Sequence, residues 1–181
     1  MTENIRIEIG GGRCPLPGYT QYGYPGDGAE HECRWGYERL PIPDFHADEV
    51  YASHVIEHIP WWDSGYAISD VYRILKMGGA LELHTVNFEY LVQQYLKGAA
   101  ADQWQARGKN PHLHPFLSIA SRIFCVGDMP EDPNWHRAVF DRPHLTSLFE
   151  RAGFTGITYP IAPKGKEKHG PINMGIRGMK A

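Results

Sequence analysis

The stretch Asp48-Glu49-Val50-Tyr51-Ala52-Ser53-His54-Val55-Ile56-Glu57-His58-Ile59-Pro60 decides how this chain is read. Its first half, Val50 to Ser53, is a short run of the kind that makes a buried strand. Its second half crowds His54, Glu57 and His58 into one turn. A buried strand running straight into such a turn points to a site at its end, because open α/β sheets bind ligands outside the carboxyl ends of their strands. Two chemistries are open for this segment. One is a ligand pocket at the end of a central strand. The other is a metal centre, since His54-x-x-Glu57-His58 matches the H-x-x-E-H pattern of one class of metalloprotease. Zinc hydrolysis requires both histidines on one helical face with a third ligand downstream, and Pro60 leaves little room for that helix.

Working outward, Asn4 to Ile9 alternates Ile5, Ile7 and Ile9 with polar residues, a period-2 strand ended by Gly10-Gly11-Gly12. Weaker strands are expected near Tyr19 to Tyr24 and Glu30 to Trp35. Leu40-Pro41-Ile42-Pro43 is a rigid extended connector into the Glu49 to Ser53 strand. Asp63 is expected to cap a helix running to about Lys76, with Gly78-Gly79 as its left-handed stop. Ala80 to Val86 is the next strand. Asn87 caps a helix whose apolar positions, Phe88, Leu91, Val92, Tyr95, Leu96 and Ala99, follow helical spacing. Residues 100 to 135 are less regular, with an apolar patch from Phe116 to Val126. Asp141 caps a last helix that stops at Gly153. Phe154 to Tyr159 and Ile172 to Met179 read as two closing strands flanking a polar loop, Lys164 to Gly170, taken as solvated. Strand, turn and helix alternate from residue 45 onward. That order predicts an α/β fold, a Rossmann-like, mostly parallel sheet with crossover helices and an antiparallel C-terminal strand.

The bulk properties narrow the function classes. A chain of 181 residues suits one domain, 1–181, and can bury a core without staples. A net charge of −3 gives no reason to expect nucleic acid or anionic membrane as a partner. Cys14, Cys33 and Cys125 fit neither a disulfide framework nor a metal knuckle, which suits a reducing compartment. No signal peptide or spanning apolar run is present, so a cytoplasmic location is expected. With 10 histidines in the chain, chance His pairs are common, and each His cluster is discounted for it.

Four blocks occur in order: EIGGG, LPIPD, DEVYASHVIEHIP and YRILKMGGALELHTV. Together they resemble the class I S-adenosylmethionine-dependent methyltransferases, in particular small ones with a turn like Leu16-Pro17-Gly18-Tyr19. Asn134-Trp135-His136-Arg137, Phe140-Asp141 and Glu150 to Phe154 resemble the C-terminal part of such proteins. The resemblance implies S-adenosylmethionine as cofactor, with Glu8, Gly10, Gly11 and Gly12 around its amino-acid end and His54 beside it. It places Gly23 where an acidic residue normally binds the ribose hydroxyls. That is a departure, for which Asp27 or a tyrosine beside Gly23 are the available substitutes. The interval from Gly12 to Gly23 is also too short for helix plus strand, since a complete crossover takes roughly 10–12 residues. The first helix is therefore expected to be reduced or missing, in keeping with an alternating first strand that is not apolar on both faces.

On this reading Glu57, Asn87 and Arg137 are candidate substrate contacts, and residues 100–135 a lid over a small-molecule or saccharide acceptor. His58 and His136 are the candidate catalytic bases, because an imidazole titrates near working pH. The structural alternatives are that Glu57 and His58 only orient their loop, that Asp141 is only a helix cap and that His84 is an interior hydrogen-bonded group. Trp61-Trp62 is either a substrate platform or an exposed anchor. No N/D-P-P-Y/F tetrapeptide follows the fourth strand, which argues against methylation of DNA bases. No metal is expected, and the protein is expected as a monomer or homodimer. Two further functions stay open: a degenerate methyltransferase fold acting as a binding subunit, and, remotely, a hydrolase with a metal on His54, Glu57 and His58.

Overall fold

The computed structural model describes residues 4–12, 14–98, 115–124, 132–165 and 169–181. Its strands form one seven-stranded sheet. They are β1 (Arg6–Ile9), β2 (Thr20–Gly23), β3 (His31–Glu32), β4 (Ala47–Ser53), β5 (Leu75–Val86), β6 (Phe154–Thr158) and β7 (Asn173–Lys180). Their spatial order is β3-β2-β1-β4-β5-β7-β6. The first five run parallel, and β7 inserts antiparallel between β5 and β6. The described helices are α1 (Ser64–Ile74), α2 (Phe88–Leu96), α3 (Pro115–Phe124) and α4 (Arg142–Ala152). This is the mostly parallel, Rossmann-like α/β sheet with an antiparallel C-terminal strand that the sequence implies.

The two faces of the sheet differ in chemistry. One face carries Ile7, Ile9, Val50, Ala52, Leu81 and Leu83, all fully or almost fully buried. Against it pack Ala67, Ile68 and Val71 of α1 and Leu145 and Phe149 of α4. Trp35 joins them from the β3–β4 connection, its indole N–H donating to the Ala67 carbonyl at 2.9 Å. The alternate residues of the same strands, Glu8, Glu49, Tyr51, Glu82 and His84, make the other face polar.

No helix covers that polar face from the β1–β2 connection, whose described residues form only turns. Its place is taken by two loop segments. Leu16 N–H donates to Glu8 Oε2 at 2.7 Å. From the β6–β7 connection, Lys164 N–H donates to Tyr51 Oη at 2.9 Å. The Lys164 ammonium lies 3.1 Å from Glu82 Oε2, contacts Glu49 Oε1, and sits over the Tyr51 ring at 5.1 Å. Lys164 is thus a pillar of the polar face and not the solvated residue its loop suggests. Residues 166–168 of that loop lie outside the described residues.

Three local expectations need correction. Asp63 makes no side-chain cap for α1, because its own backbone is helical and its N–H closes a turn onto the Pro60 carbonyl. Gly78-Gly79 does not stop α1. The helix ends where Leu75 turns extended, and the glycines form an outward bulge inside β5, between the Ala47–Leu75 and Glu49–Ala80 pairings. A Cβ on Gly79 would stand 2.9 Å from the Lys76 carbonyl oxygen and 3.1 Å from that of Ala47, so only glycine fits there. The helix after Asn87 is described to Leu96, and Ala99 lies outside the described residues. The caps of α2 and α4 are as read: Asn87 Oδ1 accepts from Tyr90 N–H, and Asp141 Oδ1 from His144 N–H.

Candidate functional site

The sheet changes direction of growth between β1 and β4. The chain leaves β1 toward β2 on one side and leaves β4 toward β5 on the other, and ligands bind outside the carboxyl ends of strands at such a switch point. A cleft of ≈ 450 Å³ opens there. Ile9 at the end of β1 and Gly10 after it, Gly23 at the end of β2, and His54 and Val55 after β4 form its floor. Tyr24, Asp27 and Cys33 make one wall, with Arg34 and Tyr37 above them. His58, Pro60, Trp62, Pro133, Asn134 and Arg137 make the opposite lip.

Backbone geometry fixes the floor. Gly10 has φ +80°, its N–H donates to the Tyr22 carbonyl at 2.7 Å, and a Cβ there would lie 2.3 Å from Val55 Cγ2. The glycine therefore lets the β1 and β4 ends close on each other. His54, at φ 54°, is a non-glycine residue in the left-handed region. Its N–H donates to the His84 carbonyl at 2.9 Å, and a short 3-10 turn, Ile56–His58, follows. Gly23 has Asp27 as neighbour: a Cβ built on it would stand 3.9 Å from Asp27 Oδ2. Asp27 thus places a carboxylate on the same wall as Gly23, beside Tyr24.

Beneath the lip lies a buried polar cluster. Glu57 is 1% exposed and does not line the cleft. Its Oε2 accepts from the Thr85 hydroxyl at 2.9 Å, and its Oε1 lies 3.0 Å from His54 Nδ1 in an ion-pair contact. Burial pushes the Glu57 carboxyl up, but contact with His54 and the charges of His54, His58 and His136 outweigh it and bring it down to about 2. The His54 Nε2 lies 3.2 Å from Asn173 Oδ1, and its ring stacks on His169 with centroids 3.8 Å apart. His58 and His136 meet edge-on, 4.8 Å between centroids. His136 Nδ1 donates to the Arg122 carbonyl at 3.1 Å, since a carbonyl can only accept. Burial lowers the His136 pKa, against the pull of Glu57, and so favours the neutral ring with a lone pair on Nε2. Burial also pushes the Cys33 thiol up to about 11, which makes it an uncharged wall and no nucleophile.

The cleft therefore brings together Gly10, Gly23, His54, His58 and Arg137 from the sequence-based candidates, with His136 packed behind His58. Glu8, Gly11, Gly12, Glu57 and Asn87 do not line it. The Glu8 carboxylate accepts from Leu16 N–H and Gln21 Nε2 on the polar face, and Gly11 is pressed between those same side chains. Those two residues hold the β1–β2 turn, and Asn87 holds the start of α2. Arg137 donates to the carbonyls of His58, Trp135 and Asp132, which ties the lip together. Among the described residues, no group of three or more His, Cys, Asp or Glu side chains is arranged to hold a metal ion. His54, Glu57 and His58 span the residues around a 3-10 turn and not one face of an α-helix. Asn173 and Thr85 escaped the sequence reading. Asn173 lies 119 residues from His54 and 89 from His84, so no local spacing marks it.

A seven-stranded sheet in this order, with its cleft at the β1/β4 switch point, defines a Rossmann-like class of methyltransferase-type domains. The chain belongs to the methyltransferase domain family, whose model matches residues 19–159. No curated protein matches it significantly. Among solved structures it is similar to an S-adenosylmethionine-dependent methyltransferase, possibly a histamine N-methyltransferase, from Thermotoga maritima. That match has a TM-score of 0.60 at 20% identity, covering 100% of this chain and 84% of that one. A second is an S-adenosylmethionine-dependent methyltransferase from Archaeoglobus fulgidus, at TM-score 0.59, 14% identity and coverage of 99% and 87%. A third, from Methanosarcina mazei, gives TM-score 0.56, 16% identity and coverage of 98% and 93%. At these identities the likeness is one of fold. Among the described residues, no helix is long and apolar enough to cross a membrane.

Proposed function

We propose that this protein binds S-adenosylmethionine in the β1/β4 cleft and transfers its methyl group to a hydroxyl of a small-molecule or saccharide acceptor. The observation that carries the reading is the cleft itself, at the switch point of a methyltransferase-type sheet, with Gly10 at its floor and Asp27 beside Gly23. The residues present fit the cofactor. Asp27 offers a carboxylate able to accept from both ribose hydroxyls. Tyr24 offers an aromatic face on the same wall. When bound, the cofactor supplies an already activated methyl group on a sulfonium, so the chain's task is mainly alignment and exclusion of water. His58 lines the cleft, and its buried Nδ1 has no hydrogen-bond partner among the described residues. His58, or His136 behind it, takes the proton leaving the acceptor hydroxyl. The segment 100–135 is proposed as a lid; residues 100–114 and 125–131 of it lie outside the described residues, and support comes from Pro133 and Asn134 at the cleft and the Arg122 carbonyl on His136.

The test is transfer of labelled methyl from S-adenosylmethionine across a panel of hydroxylated metabolites and sugars. Labelled product that disappears in Gly10→Val is expected. A second reading, a binding subunit without turnover, is favoured by one observation: Glu8, Gly11 and Gly12 stand away from the cleft. Cofactor binding with no labelled product from any acceptor would favour it.

A further inference from the structure

The polar cluster under the lip carries an inference about charge. Asn173 Nδ2 lies 3.0 Å from the Ile161 carbonyl oxygen, which can only accept, so the amide orientation is fixed. The same Nδ2 donates to His84 Nδ1 at 3.0 Å. His84 therefore carries its proton on Nε2 and donates to Glu82 Oε1 at 3.1 Å. The amide oxygen of Asn173 faces His54 Nε2, so that nitrogen must bear a proton. The other nitrogen of His54, Nδ1, lies 3.0 Å from Glu57 Oε1, at ion-pair distance though outside hydrogen-bond geometry, and a bare lone pair buried that close to a carboxylate oxygen would be repelled by it. Both nitrogens of His54 thus face acceptors.

We propose that His54 is a standing imidazolium whose charge is matched to Glu57, leaving His136, whose Nδ1–H is held by the Arg122 carbonyl, as the neutral proton acceptor of the site. Asn173 is the positioning residue that sets this state, and His54 is excluded as a base. The proposal deepens the reading of the cleft as a methyl-transfer site and rests on it for its functional meaning.

The physical argument is a charge balance in a buried space. Glu57 is ionised beneath the lip, and His54, His58 and His136 all stand near it. If nothing neutralised the carboxylate, it would draw a proton onto one of the other two imidazoles, because an opposite charge nearby favours the protonated form. A protonated imidazole has no lone pair and cannot accept from a hydroxyl. With His54 carrying the matching charge, that pull is cancelled, and the His54 cation itself opposes a second proton. His136 also faces the Arg122 carbonyl, which holds its Nδ1–H and aims the lone pair from Nε2. Also near His54 among the described residues are His169 on its ring face and, through Asn173 and His84, the Glu82 carboxylate, which faces Lys164 and Arg177, Lys164 being shared with Glu49.

The test is nitrogen-detected NMR of histidine side chains in the full chain, with no cofactor added. Two protonated nitrogens on His54 from pH 5 to pH 8, beside a neutral His136 protonated on Nδ1, are expected. In His54→Gln, the titration midpoint of His136 should rise by about one pH unit or more. A single protonated nitrogen on His54 at pH 7, or an unmoved His136 midpoint in His54→Gln, would overturn the proposal. Should His54→Gln not fold, the wild-type spectrum and Glu57→Gln decide it. Removing the acid should lower the His54 midpoint by about one unit, and an unchanged midpoint overturns the matched pair. These spectra need no ligand, so a failure to bind S-adenosylmethionine leaves them readable and sinks only the transfer reading.

Discussion

Asp27 and Glu57 show how a carboxylate's surroundings assign its work. Asp27 sits on the cleft wall beside Gly23, where it can meet a ligand. Asp27→Ala is expected to weaken binding of S-adenosylhomocysteine by roughly 10- to 150-fold, the equivalent of about 1.5–3 kcal/mol for hydrogen bonds to a charged group. Calorimetric titration of wild type and variant checks it. Glu57 is sealed under the lip, and its effect is on stability. Its folded pKa of about 2 lies below the ordinary 4.5, so its stabilisation is fully present above about pH 4.5. That contribution is lost as pH falls from 4.5 through about 2. Acid unfolding followed by circular dichroism should therefore lose part of its pH dependence in that window in Glu57→Gln. The motif containing Glu57 was legible in the sequence, but its direction was not. Whether a residue in a turn faces a cleft or a core depends on Asn173 and Thr85, which reach it from other strands.

The elements divide by whether their signals are local. Asn87 and Asp141 cap α2 and α4 as their positions foretell, because an N-cap is a contact within one turn of helix. Asp141→Ala should cost about 1 kcal/mol and lower the melting temperature by about 2–4 °C, measured by calorimetry. Gly78-Gly79 misleads for the opposite reason. A glycine pair after an amphipathic run reads as a helix stop, yet here the helix ends earlier and the glycines serve the pairing of β4 with β5. Gly79→Val is expected to destabilise by more than the Asp141 cap loss, since its Cβ meets backbone oxygens that cannot step aside. The missing first helix was legible, because spacing between Gly12 and Gly23 is a length argument and needs no tertiary knowledge.

For the whole molecule, the sheet has an apolar face under α1 and α4 and a polar face under loops. Lys164 holds the polar face by standing between Glu49 and Glu82, and those carboxylates together with its hydrogen bonds outweigh burial and raise its pKa. Lys164→Met leaves two acids facing each other. A loss of about 1–2 kcal/mol is expected, less than for a fully buried pair because a third of the side chain meets solvent. Urea unfolding at pH 7 measures it, and the loss should shrink as pH falls and the acids protonate. The alternation in β1 agreed with a missing first helix, but part of what takes that helix's place comes from the β6–β7 connection, far away in sequence. The same geometry leaves the β1/β4 switch point open as a cleft. The most direct test of the account is calorimetric titration of the protein with S-adenosylhomocysteine, beside Gly10→Val. A saturable one-to-one heat that vanishes in the variant is predicted, and no heat from folded wild-type protein at millimolar ligand would contradict the account.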